Sequence, residues 1–329
     1  MQVIKAGYEI VDPLNQMDPV KKIERIARIC YKSEDKIGEG TAEKLVRSLI
    51  KSNHVAMIEH ASLVVEMDEK EFGILYGKAT YLERVEGFKR YLRFTCADKN
   101  IVSGNLRAWR EFLQECSRCH LFVSESLNKI LRGEKYALFF EDIPYDVSEI
   151  GEAKEVNPCS LVFSDQLVHR DLTVVFKVDR GVSHELVRHR DASFAQESTR
   201  YCNYGTKGGE ITVIEPFYLM PDGVRVSTEN WSERYGAWVS ACEEAEKSYL
   251  RMIEDGATPQ EARAVLPTSL KTEIAMTSNL REWRHFFSLR ACGSTGKPHP
   301  QMLEVAVPLL KEAKEVIPIV FAGLEPMEI

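Results

Sequence analysis

The run Asp171-Leu-Thr-Val-Val-Phe-Lys-Val178 most narrows what this chain can fold into. It is the cleanest strand in the sequence, and a helical pattern from Ser183 to about Arg188 follows it directly. A strand that passes straight into a helix is a place where binding groups collect. Helical patterns also run over 19–32 and 41–52, followed by an extended apolar run from Ala61 to Met67. Further on come a possible strand at Tyr91–Thr95, another at Glu210–Pro216 and a long amphipathic helix from Glu229 to Asp255. Two more helices are expected at Leu280–Ala291 and Pro300–Ile317. Strands parted by long helical stretches, rather than regular βα alternation, predict an α+β fold with a mixed or antiparallel sheet flanked by helices. No tandem repeat stands out.

The 329 residues, 44% of them hydrophobic, suffice for a sizeable core without disulfides or metal staples. Lys and Arg number 43 against 50 Asp and Glu, a formal charge of −7. That balance argues against a nucleic-acid coat protein, whose affinity comes from neutralising phosphates. An anionic ligand must be met by a local basic cluster. The first residues lack an apolar segment behind a basic start, and no stretch reaches the length of a membrane span, so a cytoplasmic protein is expected. The eight cysteines are scattered and read as free thiols. Cys116-Ser-Arg-Cys119-His120 matches a haem-attachment pattern, but it lies in a helical repeat carried by Trp109, Phe112, Leu113 and Cys116.

The densest set of polar donors begins at Arg188-His189-Arg190 and continues through Asp-Ala-Ser193-Phe-Ala-Gln196-Glu197-Ser198-Thr199-Arg200-Tyr201. Arginine forks match phosphate oxygens two at a time, and hydroxyls with exposed amides complete a phosphate cradle. Taken alone, such a basic tripeptide is more often a solvated face or an interface ion pair than a site.

The spacing of Arg188-His189-Arg190, Ser198 and Arg200-Tyr201 resembles the signature of the flavin-dependent thymidylate synthases. Asn53-His54, Glu59-His60, Glu261-Ala-Arg263-Ala-Val-Leu-Pro267, Asn279-Leu-Arg281 and Leu289-Arg290 fall in that family's order. The resemblance implies reductive methylation of dUMP to dTMP, with FAD as cofactor and NADPH and methylenetetrahydrofolate as co-substrates. It implies FAD contacts at His54, Ala56, Glu59, Arg188, His189, Arg190, Ser193, Gln196, Asn279, Arg281 and His285. For dUMP it implies Glu185, Arg188, Gln196, Glu197, Ser198, Thr199, Arg200, Arg263 and Arg290, with Arg290 and Ser198 as the catalytic positions. No metal is implied, and no nucleic-acid or membrane partner. It further implies a homo-oligomer, a tetramer with shared active sites. The expected domain is a single catalytic one over 1–329, with a family-variant insertion at about 69–167. Ala195 and Gln196 stand where many members carry Asn and Glu, and Glu185 where a Gln is common.

Each residue also has a plainer reading. His54 and His60 would cap a helix-to-strand junction, Arg263 would be a surface charge, and Arg290 would be a cation at a helix C-terminus. Trp231, Tyr235 and Trp238, at helical spacing, read as core or interface. Two other functions compete: a nucleic-acid module using Arg188, Arg190 and Arg200, and a flavin-binding relative without synthase activity.

Overall fold

A computed structural model describes residues 1–87, 91–206, 209–217 and 231–328, the side chain of Trp231 excepted. The chain opens with strands β1 (Gln2–Ile4) and β2 (Gly7–Val11), then helices α1 (Pro19–Ile29) and α2 (Thr41–Lys51). Asp18 starts α1 by accepting the amides of Val20 and Lys21, with Pro19 at the first helical position, where its missing N–H costs nothing. A 3₁₀ turn, Val55–His60, leads into β3 (Ser62–Met67), α3 (Glu69–Val85), β4 (Arg93–Thr95), β5 (Asn100–Asn105) and α4 (Leu106–Arg118). Short elements follow: β6 (Val123–Ser124), α5 (Glu125–Leu131), α6 (Ala137–Phe140), β7 (Val147–Ser148) and β8 (Ala153–Glu155).

Helix α7 (Phe163–His169) then feeds β9 (Asp171–Asp179), which passes into α8 (Arg180–Leu186) and β10 (Ala192–Gln196). Beyond β11 (Thr212–Ile214) lie α9 (Trp231–Glu254), α10 (Pro259–Ala262), β12 (Lys271–Asn279), α11 (Leu280–Arg290), α12 (Pro300–Val316) and α13 (Pro318–Phe321). Glu229 and its neighbour, where the long helix was expected to begin, lie outside the described residues.

The fold is α+β, and the two larger sheets are antiparallel throughout. One has the order β10-β12-β9-β2 and the other β4-β5-β3-β8. Strand β9 is buried along nearly its whole length, which is why its sequence is a continuous apolar run rather than an alternation. Its inward residues Leu172, Val174, Phe176 and Val178 pack with Trp283, Phe286, Phe287 and the apolar face of α12 in one hydrophobic cluster. A second cluster gathers β3, β5, α3 and α4 around Leu63, Val65, Leu82, Trp109 and Phe112. Cys116 lies buried in this second core, and burial pushes its thiol up to about 12, as expected of a packing cysteine inside a helix.

Candidate functional site

Strand β9 ends at Asp179, whose side chain accepts the Val182 amide at 2.7 Å and so starts α8. The helix is seven residues long, and Arg188-His189-Arg190 form the turn that returns the chain to β10. In that turn Arg188 and Arg190 are exposed while His189 is buried. Parallel construction brings the second half of the site. Asn279 ends β12 and accepts the Glu282 amide at 2.9 Å, starting α11, which carries Glu282, His285 and Arg290 on the same side as the turn.

Arg188, His189, Arg190, Asp191, Glu282, His285, Leu289 and Arg290 line one cavity of about 310 Å³. Within it the Arg290 Nη1 donates to Glu185 Oε2 at 2.8 Å and its Nε to His189 Nε2 at 3.4 Å. The His189 Nδ1 meets Glu282 Oε1 at 3.2 Å. With Nε2 accepting from an arginine, the His189 proton belongs on Nδ1, donated to Glu282. Burial, then the Arg290 charge and His285, pushes the His189 imidazole down to about 4, so the ring is neutral near neutral pH. A fixed line, Glu185 to Arg290 to His189 to Glu282, results. His189, Glu282 and His285 place a ligand atom each within 4.8 Å of one another, although both His189 nitrogens already have partners.

Strand β10 carries the rest of the signature. Ser193 Oγ donates to Glu59 Oε2 at 2.7 Å, and Arg107 Nη1 donates to Glu59 Oε1 at the same distance. Gln196 is anchored by Ser183 Oγ at 2.9 Å and Thr272 Oγ1 at 3.2 Å. Past the strand, sidedness still alternates: Ala195, Glu197 and Thr199 are buried, whereas Gln196, Ser198 and Arg200 face outward in part or wholly. Glu197 is only 1% exposed. Lys271, Lys32 and Tyr204 meet its carboxylate at 2.9, 3.0 and 2.8 Å. Ser198 donates its amide to Cys30 O at 3.0 Å and accepts the Arg200 amide at 3.3 Å. The Arg200 guanidinium lies over the Tyr201 ring, and Arg263 Nη1 reaches Thr199 Oγ1 at 3.5 Å.

His54 and Ala56 are exposed on the 3₁₀ turn that leads to β3, and the His54 side chain makes no capping bond there. Arg281 is exposed on the first turn of α11. His60 does not cap: it is buried, with Nδ1 2.7 Å from Thr277 Oγ1. Tyr235 donates to Glu215 at 2.7 Å and Trp238 to Ser269 Oγ at 2.9 Å, structural contacts on α9. The Trp231 side chain lies outside the described residues. Sequence reasoning missed Glu282 and Arg107. The first was legible as the acidic residue of the first turn of α11; the partner of the second, Glu59, lies 48 positions away and could not be read from its neighbours.

Three buried imidazoles give the fold an acid limit. Burial with the Lys22 charge pushes His60 down to about 3, and burial with the Arg93 charge pushes His169 down to about 4, close to the value for His189. In the unfolded chain each takes a proton near its ordinary value, so stability is present above pH ~6.5 and is lost as pH falls toward ~4. The loss should approach ~1.4 kcal/mol per pH unit for each histidine. Denaturant midpoints measured from pH 7 to 4.5 should fall steeply, and less steeply in His60→Asn or His169→Asn chains. Equal slopes in wild type and both variants would show that these rings do not govern the transition.

Residues 14–74 and 164–319 match the family model described as thymidylate synthase complementing protein. The flavin-dependent thymidylate synthase of Geobacter sulfurreducens is 33% identical over 168 residues, 51% of this chain and 66% of that protein. The enzyme of the same name from Pyrococcus abyssi is 32% identical over 176 residues, 51% of this chain and 67% of that protein. The matches thus span about half of this chain and about two thirds of those relatives. Among solved structures, the UMP/dUMP methylase PolB of Streptomyces cacaoi bound with 5-Br dUMP aligns over 98% of this chain and 96% of its own, at 17% identity and a TM-score of 0.44. The family model covers both the Arg188–Tyr201 signature and the Asn279–Arg290 helix that faces it, and this chain belongs to the thymidylate synthase complementing protein family.

Proposed function

We propose that this chain is a flavin-dependent thymidylate synthase, which methylates dUMP to dTMP with methylenetetrahydrofolate as one-carbon donor and NADPH-reduced FAD as hydride source. One observation carries the reading: in a chain of this family, Arg188, His189, Arg190 and Arg290 converge on one cavity. The donor chemistry fits an anionic dinucleotide. Arg188 and Arg190 stand exposed on either side of His189, and α11 adds Arg281 and His285, so forks and an imidazole are available to phosphate oxygens. Bound there, FAD would supply the hydride. His54, Ala56, Glu59, Ser193, Gln196 and Asn279 are its remaining proposed contacts.

The chain's own work is alignment and charge stabilisation. Two of the five N–H donors of Arg290 are used by Glu185 and His189, which fixes the plane of the guanidinium and leaves three for a pyrimidine. Glu185, Arg188, Ser198, Thr199, Arg200 and Arg263 are the proposed dUMP contacts. Glu197, enclosed by its own partners, would act by holding Ser198 and Thr199 in place. The Ser198 hydroxyl accepts the Arg200 amide, which suits a substrate contact better than an activated nucleophile.

A cavity of about 310 Å³ lies at the small end of the range for ligand sites. That supports a site completed by another copy of the chain, within a homotetramer. The net charge of −7 favours small-molecule substrates over nucleic acid. No described helix is long and apolar enough to cross a membrane, which accords with the proposed cytoplasmic location. The chain would act as one catalytic unit over 1–329, with the 69–167 segment as an added part.

The test is dTMP formation from dUMP by the purified protein with FAD, NADPH and methylenetetrahydrofolate, each omitted in turn. Turnover that requires every component is expected. Flavin and dUMP binding without dTMP would replace the reading with a diverged relative.

A further inference from the structure

The sheets β4-β5-β3-β8 and β10-β12-β9-β2 share one strand order and one register. Ser62 faces Asn105 as Asp171 faces Asn279, and Arg93 faces Ser103 as Ser193 faces Thr277. At the edge, Val65 faces Glu155 as Val174 faces Ile10. The strands β5 and β12 open helices of matching sequence, Asn105-Leu-Arg-Ala-Trp-Arg-Glu-Phe112 and Asn279-Leu-Arg-Glu-Trp-Arg-His-Phe286. Each asparagine caps its own helix, at 2.8 Å to Ala108 N and 2.9 Å to Glu282 N. Each tryptophan indole donates to the carbonyl at the same place on the neighbouring strand, Trp109 to Leu63 at 3.2 Å and Trp283 to Leu172 at 2.9 Å.

The two units also grip each other reciprocally. His60 Nδ1 meets Thr277 Oγ1 at 2.7 Å, while His169 Nδ1 meets Ser103 Oγ at 2.7 Å; the two histidines are equivalent in register, and so are the two hydroxyls. Ser62 and Asp171, themselves equivalent, hydrogen-bond to each other. Edge strands are exchanged, since β2, ahead of the first unit, completes the second sheet, and β8, ahead of the second unit, completes the first. Such i-to-j and j-to-i contacts are the mark of a two-fold axis.

The cavity beside Arg290 has a counterpart. In the shared register Asp191, His285 and Leu289 correspond to Tyr91, Glu111 and Glu115, and these three line a cavity of about 780 Å³. Arg290 corresponds to the buried Cys116. The arginines of this second cavity are taken up by carboxylates at 2.7 Å, Arg107 by Glu59 and Glu111, and Arg118 by Glu86 and Glu115. Among the described residues, the Glu111 carboxylate stands where the twin has the His285 imidazole, the Cys116 thiol stands where it has the Arg290 guanidinium, and the two arginines are already paired, so this pocket is a poorer match for a phosphate. Phe88, Lys89 and Arg90, the counterparts of Arg188, His189 and Arg190, lie outside the described residues. Yet Arg107, through Glu59, reaches Ser193 on the catalytic strand of the other unit.

We infer that this chain holds two copies of one β-α-β-β-α unit about an internal pseudo-two-fold, that the first copy has lost its nucleotide pocket, and that it serves the second through Arg107, a positioning residue that holds Glu59 against Ser193. The identity of the ligands rests on the proposed synthase function.

Titration of the full chain with FAD and with dUMP, followed by flavin fluorescence and equilibrium dialysis, should saturate at one of each per chain. Two of either would overturn the emptied pocket and leave the synthase reading standing; binding of neither would overturn both. Arg107→Ala should weaken FAD binding about tenfold, the loss of one charge-assisted hydrogen bond, while dUMP affinity and the thermal midpoint stay near wild type. Arg107→Lys should restore part of it. Unchanged FAD affinity in Arg107→Ala, or no rescue by lysine, would overturn the positioning role.

Discussion

An Arg290→Ala chain should fold, keep its FAD and form dTMP about 10²- to 10³-fold more slowly, the usual cost of removing one preorganised donor from a developing charge. The guanidinium is already oriented before substrate arrives, by Glu185 at 2.8 Å and His189 at 3.4 Å, so little reorganisation remains for the reaction itself. Arg290→Lys should rescue poorly. An ammonium on a flexible stem cannot meet Glu185 and His189 while offering a planar fork to the pyrimidine. Removing the guanidinium also removes the positive charge that, after burial, depresses His189, so its imidazole should titrate closer to its ordinary value. The rate comparison under saturating FAD and dUMP decides the matter. An alanine variant within threefold of wild type would take Arg290 out of the chemistry.

Strand β9 was legible almost to the residue because it is buried along nearly its whole length, and its apolar run therefore has sharp ends. Helix α8 was not: it begins at Arg180, three residues before the expected start, because the Asp179 cap outweighs the poor helix propensity of Gly181. Strand β11 is shorter than its apolar sequence because its partner β1 spans only Gln2–Ile4, and partner length is a tertiary fact. The signature was legible as a donor cluster, but its division was not, since Glu197 and Thr199 were expected beside Ser198 and Arg200 as dUMP contacts and are buried instead. A period of two from Ala195 onward sends Glu197 and Thr199 inward and Ser198 and Arg200 outward. The pairing of Arg107 with Glu59 crosses 48 positions and leaves no local trace. The repeated Asn-Leu-Arg-x-Trp-Arg string was in the sequence from the start, but six positions are too few to declare a duplication until the sheets that carry them show the same register.

Glu197→Ala should be the most destabilising single change near the site, at about 3–5 kcal/mol, the range for removing one partner of a buried ion pair. Burial alone would raise the Glu197 carboxyl; Lys271 and Lys32 overcome that and hold it below the usual carboxylate range. Its contribution to stability is therefore present above the ordinary carboxylate value and is lost as pH falls through the lowered one. Alanine leaves Lys271, 8% exposed, with Glu273 as its remaining ion-pair partner, and leaves the Tyr204 hydroxyl without its acceptor. Glu197→Gln keeps an acceptor for Tyr204 and loses the charge, so it should fall between the two. Because Gln196 and Ser198 flank the buried carboxylate, dUMP affinity should weaken along with stability, whereas a change confined to the substrate surface would weaken affinity alone. A Glu197→Ala/Lys271→Met double variant should recover part of the loss, since the stranded charge is gone. Denaturant midpoints of the three variants at pH 7 separate the cases. A Glu197→Ala chain less than 1 kcal/mol below wild type, or a double variant worse than the single ones combined, would show that the pair does not hold up the Ser198–Arg200 segment.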